Sequence, residues 1–221
     1  MWTSDDAVTD PLVTAITTEQ GVDQYVLDDI EVESRRWAQD MLPTRYQDAT
    51  VTVPEVRDWV IELVKRALRD MRAGHPVVRT GPSLVLAGPA GRGKSWQAWG
   101  AMRALSVCGA HCRWKFLTAS DMFAQLRPRH GVDSEDEFDN IARAEVLVID
   151  DLGAAKDSAW TEETLARVID HRSKWVRPTL VTTNIAPPAF ADRFGDRVAS
   201  RLAEMATVVP FLGADLRRPA R

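Results

Sequence analysis

The sequence predicts an α/β fold, a five-stranded parallel sheet layered between helices as a three-layer sandwich. Three observations carry that expectation. From Ser83 onward, short apolar runs alternate with amphipathic segments, the texture of strands buried on both faces and joined by helices. The octapeptide GPAGRGKS (Gly88 to Ser95) stands between the first apolar run and the first of those helical segments. A later run, EVLVIDD (Glu145 to Asp151), ends on two adjacent carboxylates.

Residues 1 to 42 are polar and acidic and form a first segment. Within it, Val22 to Met41 reads as a helix. Its apolar residues (Val22, Tyr25, Val26, Ile30 and Trp37) make a sparse stripe, suited to docking on a partner rather than to building a core. Pro43 ends it. Residues 43 to 82 form a linker and a lead-in helix. Thr52 and Glu55 have capping-box spacing, Pro54 suits a first turn, and Gly74 marks the end. Val56, Val60, Leu63, Ala67 and Met71 fall on one face. Residues 83 to 221 form the main domain. Its expected strands are Ser83 to Gly88, Cys112 to Ala119, Glu145 to Asp151, Pro178 to Asn184 and Ala206 to Leu212. Helices are expected over Lys94 to Val107, Ser120 to Leu126, Glu135 to Ala142, Thr161 to Trp175 and Asp196 to Met205.

The 221 residues, 45% of them hydrophobic, suffice to bury a core. A net charge of -4 supplies no global attraction for nucleic acid, so any such contact needs a local basic patch. No apolar run approaches the roughly 20 residues of a membrane span, and the acidic start MWTSDDAVTD does not read as a signal peptide. A soluble, cytoplasmic protein is expected. Cys108 and Cys112 flank His111, but a metal site needs a fourth ligand. The expectation is that Cys108 ends a helix, Gly109 caps it and Cys112 opens a strand.

The octapeptide satisfies the spacing G-x-x-x-x-G-K-[ST] in the context its chemistry needs, after a strand and opening a helix. Gly88, Pro89, Ala90, Gly91, Arg92, Gly93, Lys94, Ser95 and the adjoining Trp96 are the residues expected to hold a nucleotide. Glycines let successive N–H groups turn inward on phosphate oxygens, and the helix start adds its positive end. Lys94 would reach the β- and γ-phosphates of ATP, and Ser95 would ligate Mg2+. A second carboxylate at another strand end must share that ion. Asp150 fits the metal-side role, and Asp151 would orient and deprotonate a water. Asn184, closing the next strand in PTLVTTN, could hold the same water. Asp151 is one methylene shorter than the Glu common in this role, so slow basal hydrolysis is expected.

Five segments in order, MLPTRYQDA (Met41 to Ala49), GPAGRGKS, VLVIDDLGAAKDSAW (Val146 to Trp160), RPTLVTTN (Arg177 to Asn184) and GDRVASRLAEMA (Gly195 to Ala206), carry a resemblance. Between Leu42 and Leu212 the chain resembles the AAA+ ATPases of the DnaC/DnaI-type helicase-loader family, with IstB-like transposition helpers as relatives. The resemblance implies a P-loop ATPase encoded by a bacteriophage and working in the cytoplasm of the bacterial host. It would load a replicative helicase onto single-stranded DNA as a homo-oligomeric spiral. It also implies that Arg45 and Tyr46 lie near adenine. Arg201 would be an arginine finger reaching the γ-phosphate of a neighbouring subunit, with Arg197 in support. From spacing alone, Arg197 and Arg201 stand at i and i+4 on one helix face, which two solvated arginines would also do. The last strand is followed only by GADLRRPAR, too short for the helical lid of many AAA+ proteins, and residues 1 to 42 lack zinc-binding cysteines.

Arg127 and Arg129, with Lys115 and Arg113 behind them, are the local basic candidates for DNA, although the acidic stretch from Ser134 to Asp139 follows at once. Of the eight tryptophans, Trp59, Trp160 and Trp175 have spacings that suit a core. Three other readings stay open at this level: an IstB-like ATPase regulating a transposase, a small P-loop kinase, and a nucleotide-gated adaptor without hydrolysis.

Overall fold

The five apolar runs form parallel strands β1 (Ser83–Ala87), β2 (Trp114–Thr118), β3 (Val146–Leu152), β4 (Thr179–Thr183) and β5 (Ala206–Pro210) in this computed structural model. They pair in the order β2-β3-β4-β1-β5, so β4 separates β1 from β3. The structure describes residues 38, 40–70, 76–108, 110–129, 131, 133–154, 158–213 and 215–216. The helix expected over Val22 to Met41 lies almost wholly outside them, as do Met71, Gly74 and Gly109. The helices are α1 (Pro54–Arg69), α2 (Lys94–Leu105), α3 (Ala119–Leu126), α4 (Ser134–Ala142), α5 (Ala159–Lys174), α6 (Phe190–Phe194) and α7 (Asp196–Met205). From residue 83 onward the expected ends shift by at most two residues, as helix and strand ends commonly do, and the short α6 was not anticipated. No helix among the described residues is long and apolar enough to cross a membrane.

The chain divides into two compact units, Met1–Gly81 with Trp96–Arg113, and Pro82–Ser95 with Trp114–Arg221. Most of α2 therefore groups with the lead-in segment, although the sequence places it in the domain from residue 83. The reason lies in that unit's own bonds. The Gln97 side chain accepts from the amides of Thr52 and Val53 at 2.9 and 3.1 Å, and its amide donates to the Thr52 hydroxyl at 2.9 Å. At Gly100 a Cβ would stand 2.7 Å from the carbonyl carbon of Thr50, so a glycine is required for this close approach. The capping box expected at Thr52 is accordingly absent. Val53 is the N-cap of α1 without a side-chain bond, and the Thr52 hydroxyl serves Gln97 instead. Pro54 does open the helix, and Val56, Val60, Leu63 and Ala67 are buried.

In the second unit all five residues of β1 and of β4 are buried, as strands covered on both faces require. One face joins Val85, Leu147, Ile149 and Val181 to Met122, Phe123, Ile141, Ile169 and Leu202 from α3, α4, α5 and α7 in a single apolar cluster. At its edge sits Arg172, fully buried and without a carboxylate partner among its hydrogen bonds. Its guanidinium donates to the carbonyls of Ala142, Ala144 and Pro178 at 3.0, 2.9 and 2.6 Å and to the Thr179 hydroxyl at 2.7 Å. Burial, with the neighbouring Arg177 charge, pushes its pKa down to about 9, which leaves it cationic at neutral pH. One side chain thus ties the end of α4 to the start of β4.

Trp59 is buried and Trp160 packs against the core, as their spacing suggested. Trp175 is not. It is 57% exposed, because it sits at the C-cap of α5, past the last buried position of that helix. Cys108 and Cys112 are both buried, and no group of metal-ligating side chains occurs among the described residues. Replacing Arg172 with Met should strip the Ala142 and Ala144 carbonyls of this donor, leave the Pro178 carbonyl with the Leu147 amide alone, and lower stability by about 3 kcal/mol. Urea unfolding checks this, and a loss below about 1 kcal/mol would contradict the assignment.

Candidate functional site

The phosphate loop starts where β1 stops. The Gly88 amide donates to the Thr183 carbonyl at 3.1 Å, pinning the loop to the end of β4. Gly88 has φ 155, and a Cβ there would lie 2.3 Å from the Phe211 carbonyl oxygen, so no side chain fits. Gly91 and Gly93 also have positive φ, which curls the backbone into an amide nest with Pro89 and Ala90 exposed at its rim. Lys94 opens α2 and donates its Nζ to the carbonyls of Gly88 and Pro89 at 2.7 and 2.9 Å. The Nε of Arg92 is buried without a hydrogen-bond partner. A nest of inward amides, a helix start and an unsatisfied guanidinium donor all fit a phosphate group.

Ser95 and Asp150, joined in the sequence only by their expected roles, touch. The Ser95 hydroxyl donates to Asp150 Oδ1 at 2.9 Å. The same oxygen accepts from the Thr182 hydroxyl at 2.6 Å, and the Thr182 oxygen accepts from the Asp151 amide at 2.9 Å. Pairing of β3 with β4 explains the arrangement. Ile149 faces Val181 and Leu152 faces Thr183, so Asp150 and Asp151 together oppose Thr182 alone. This is a β-bulge, and it holds Asp151 exposed with φ 55, a left-handed conformation uncommon outside glycine. Hydroxyl and carboxylate oxygens brought together in this way are the hard donors that suit Mg2+.

Other expected residues lie further out. Asn184 is exposed at the end of β4, with its Oδ1 3.6 Å from where a Cβ on Gly153 would stand. Arg197 and Arg201 are exposed on α7 and are not joined to the phosphate loop. Both pair with Asp170 of α5, Arg201 at 3.2 Å, and Arg201 also pairs with Glu204 at 2.6 Å. In the other unit, Tyr46 ends a 3-10 turn (Thr44–Tyr46) and stacks on Trp99 at 5.5 Å, with Trp96 at 6.3 Å and the Arg45 guanidinium 5.9 Å from its ring. Arg127, a sequence candidate for DNA, lies over the Trp160 ring at 5.3 Å.

Sequence reasoning missed Thr182. It weighed Asn184 in TTN, and nothing in the letters announces the bulge that makes Thr182 the shared partner of both aspartates. It also missed the return of the chain after β5. The Leu216 amide donates to the Gly91 carbonyl at 2.8 Å, and the Asp215 carboxylate lies 2.0 Å from where a Cβ on Gly91 would be. Arg217 and Arg218, in the closing GADLRRPAR, lie outside the described residues.

The family model described as "IstB-like ATP binding protein" matches residues 32–218. The curated replicative helicase loader DnaC of Escherichia coli (strain K12) is 24% identical over 123 residues, covering 54% of this chain and 49% of that protein. The chain thus spans about half the length of the curated relatives it matches. Among solved structures, the DnaC helicase loader has a TM-score of 0.61 at 22% identity, covering 77% of this chain and 100% of that one. DnaI gives 0.61 at 18% identity, covering 77% of this chain and 95% of that one. At such identities the structures speak for the fold, an α/β fold of P-loop AAA+ type.

Thr182→Val removes both hydrogen bonds of the bulge while keeping the volume. Affinity for ATP in the presence of Mg2+ should fall about tenfold, metal-free binding should barely change, and Thr182→Ser should restore the loss. Nucleotide titration with and without Mg2+ checks this, and equal losses in both conditions would contradict it.

Proposed function

The chain belongs to the IstB-like ATP-binding protein family, and from that premise we propose that it hydrolyses ATP to load a replicative helicase onto single-stranded DNA. The observation that carries the ATPase part is the Ser95–Asp150–Thr182 junction beside the amide nest. The loader part is supported by the likeness to DnaC.

Each residue has a place in this reading. The loop amides, Lys94 and Arg92 bind the β- and γ-phosphates. Ser95 and Asp150 hold Mg2+, which when bound neutralises phosphate charge. Asp151, turned out of β3 by the bulge, accepts a proton from the attacking water, and Asn184 orients that water. Its short side chain keeps the basal rate low. The family resemblance gives Arg45, Tyr46 and Trp96 a base-side role, and within their own unit Tyr46 stacks on Trp99. Arg201, aided by Arg197, serves the γ-phosphate of a neighbouring copy in a homo-oligomer. Its present pairs with Asp170 and Glu204 are exposed ion pairs, weak enough to exchange for a phosphate. Residues 1 to 42 dock on the helicase.

A second reading has the family model in its favour: an ATPase serving a transposase, with the same nucleotide chemistry. Co-purification with the host helicase, against a transposase as bait, separates the two. For the hydrolytic mechanism the test is Arg201→Ala. ATP binding should persist while hydrolysis stimulated by partner and DNA falls by about a thousandfold or more. Phosphate release at an undiminished stimulated rate would contradict the role of Arg201.

A further inference from the structure

At the pole of the sheet opposite the phosphate loop, α5 ends in a costly way. The Val176 amide donates to the Ser173 carbonyl at 3.0 Å and the Arg177 amide to the Arg172 carbonyl at 2.9 Å. This bond pair makes a Schellman cap, whose left-handed position usually holds glycine. Here Val176 occupies it with φ 50. A β-branched residue is strained in that conformation. Its side chain gains little burial in return, since Val176 is 53% exposed and Trp175 beside it 57%. The fold gives up stability to display two apolar side chains at a corner.

The surroundings of the corner are cationic. Lys174 is exposed, and Arg177 donates to the Arg143 carbonyl at 2.9 Å. Asp139, the acidic group facing this cluster, is already paired with Arg143 at 2.9 Å. The His171 ring stands 6.5 Å from Trp175. Burial and the charges of Arg177, Arg143 and Arg172 hold its pKa below the ordinary value, in keeping with a local positive field on a chain of net charge -4. An exposed indole at a helix end that also carries the exposed Lys174 ammonium and the Arg177 guanidinium suits one occupant best: an unpaired base stacked on the ring, with its flanking phosphates on the cations.

We infer that the Trp175–Val176 corner is a stacking platform for single-stranded DNA. It rests on the DNA-handling part of the proposed function and gives that part an address, distinct from Arg127, whose guanidinium covers Trp160. The inference follows from the exposed ring, the strained cap and the charge around them.

The experiment measures binding of a fluorescein-labelled oligo(dT) to the full chain by anisotropy at two salt concentrations, with thermal midpoints recorded alongside. Trp175→Ala should weaken binding about tenfold or more, and Trp175→Phe should retain most of it. Lys174→Gln should reduce the salt dependence. Val176→Gly should raise the thermal midpoint by relaxing the cap, yet weaken binding. Unchanged affinity in Trp175→Ala would overturn the platform, as would displacement of the oligonucleotide by an acidic peptide as readily as by unlabelled oligo(dT), or no binding by the unaltered chain. A helicase-loading assay on the same proteins keeps the two readings apart. Loading with Trp175→Ala unaffected removes the platform alone, and Trp175-dependent DNA binding without loading removes the loader alone.

Discussion

One carboxylate oxygen, Oδ1 of Asp150, organises the site. It accepts from Ser95 at the start of α2 and from Thr182 on β4, while Thr182 in turn receives the Asp151 amide. Three separate stretches of chain are thereby held at one point by charge-assisted bonds, the stronger class of hydrogen bond. Strand order makes the meeting possible. With β4 lying between β1 and β3, a threonine on the middle strand can reach the carboxylate of its neighbour, while the helix that follows the loop leaving β1 supplies the serine. The Gly88 amide bound to the Thr183 carbonyl closes the same junction from the other side.

Much of this was legible in the letters because it rests on short-range rules. Apolar runs between helical segments predicted all five strands, and the spacing of GPAGRGKS predicted a loop that curls after β1. The meeting of Ser95 with Asp150 agrees with two motifs expected to share an ion. What escaped the reading depends on register and on distant partners. The bulge opposite Thr182 exists only when β3 and β4 are aligned, so the hydroxyl that serves both aspartates cannot be distinguished in TTN from its neighbours. Thr52 kept capping-box spacing yet gave its hydroxyl to Gln97, 45 residues away. Trp175 kept helical spacing yet fell just beyond the helix end, where spacing no longer implies burial.

Among the described residues two non-glycines carry left-handed backbone, Asp151 and Val176, at opposite poles of the same sheet. The first is held by Thr182 and aims a carboxylate outward; the second is held by the Schellman cap and displays an apolar pair. Local strain of this kind persists where the surroundings over-determine it, and it gathers at sites of function. Arg172 lies beneath the second of them. By tying α4 and β4 together through carbonyls, it gives the corner a rigid base without using a carboxylate.

The central claim is that Ser95 and Asp150 act on one metal ion. The most direct measurement is a double-mutant cycle on Mg2+-dependent ATP affinity, using Ser95→Ala, Asp150→Asn and the pair. Shared coordination requires the two losses to overlap, with the double variant falling short of their sum by about 1 kcal/mol or more. Losses that simply add would mean that the serine and the aspartate work independently, and the account of the site would be wrong.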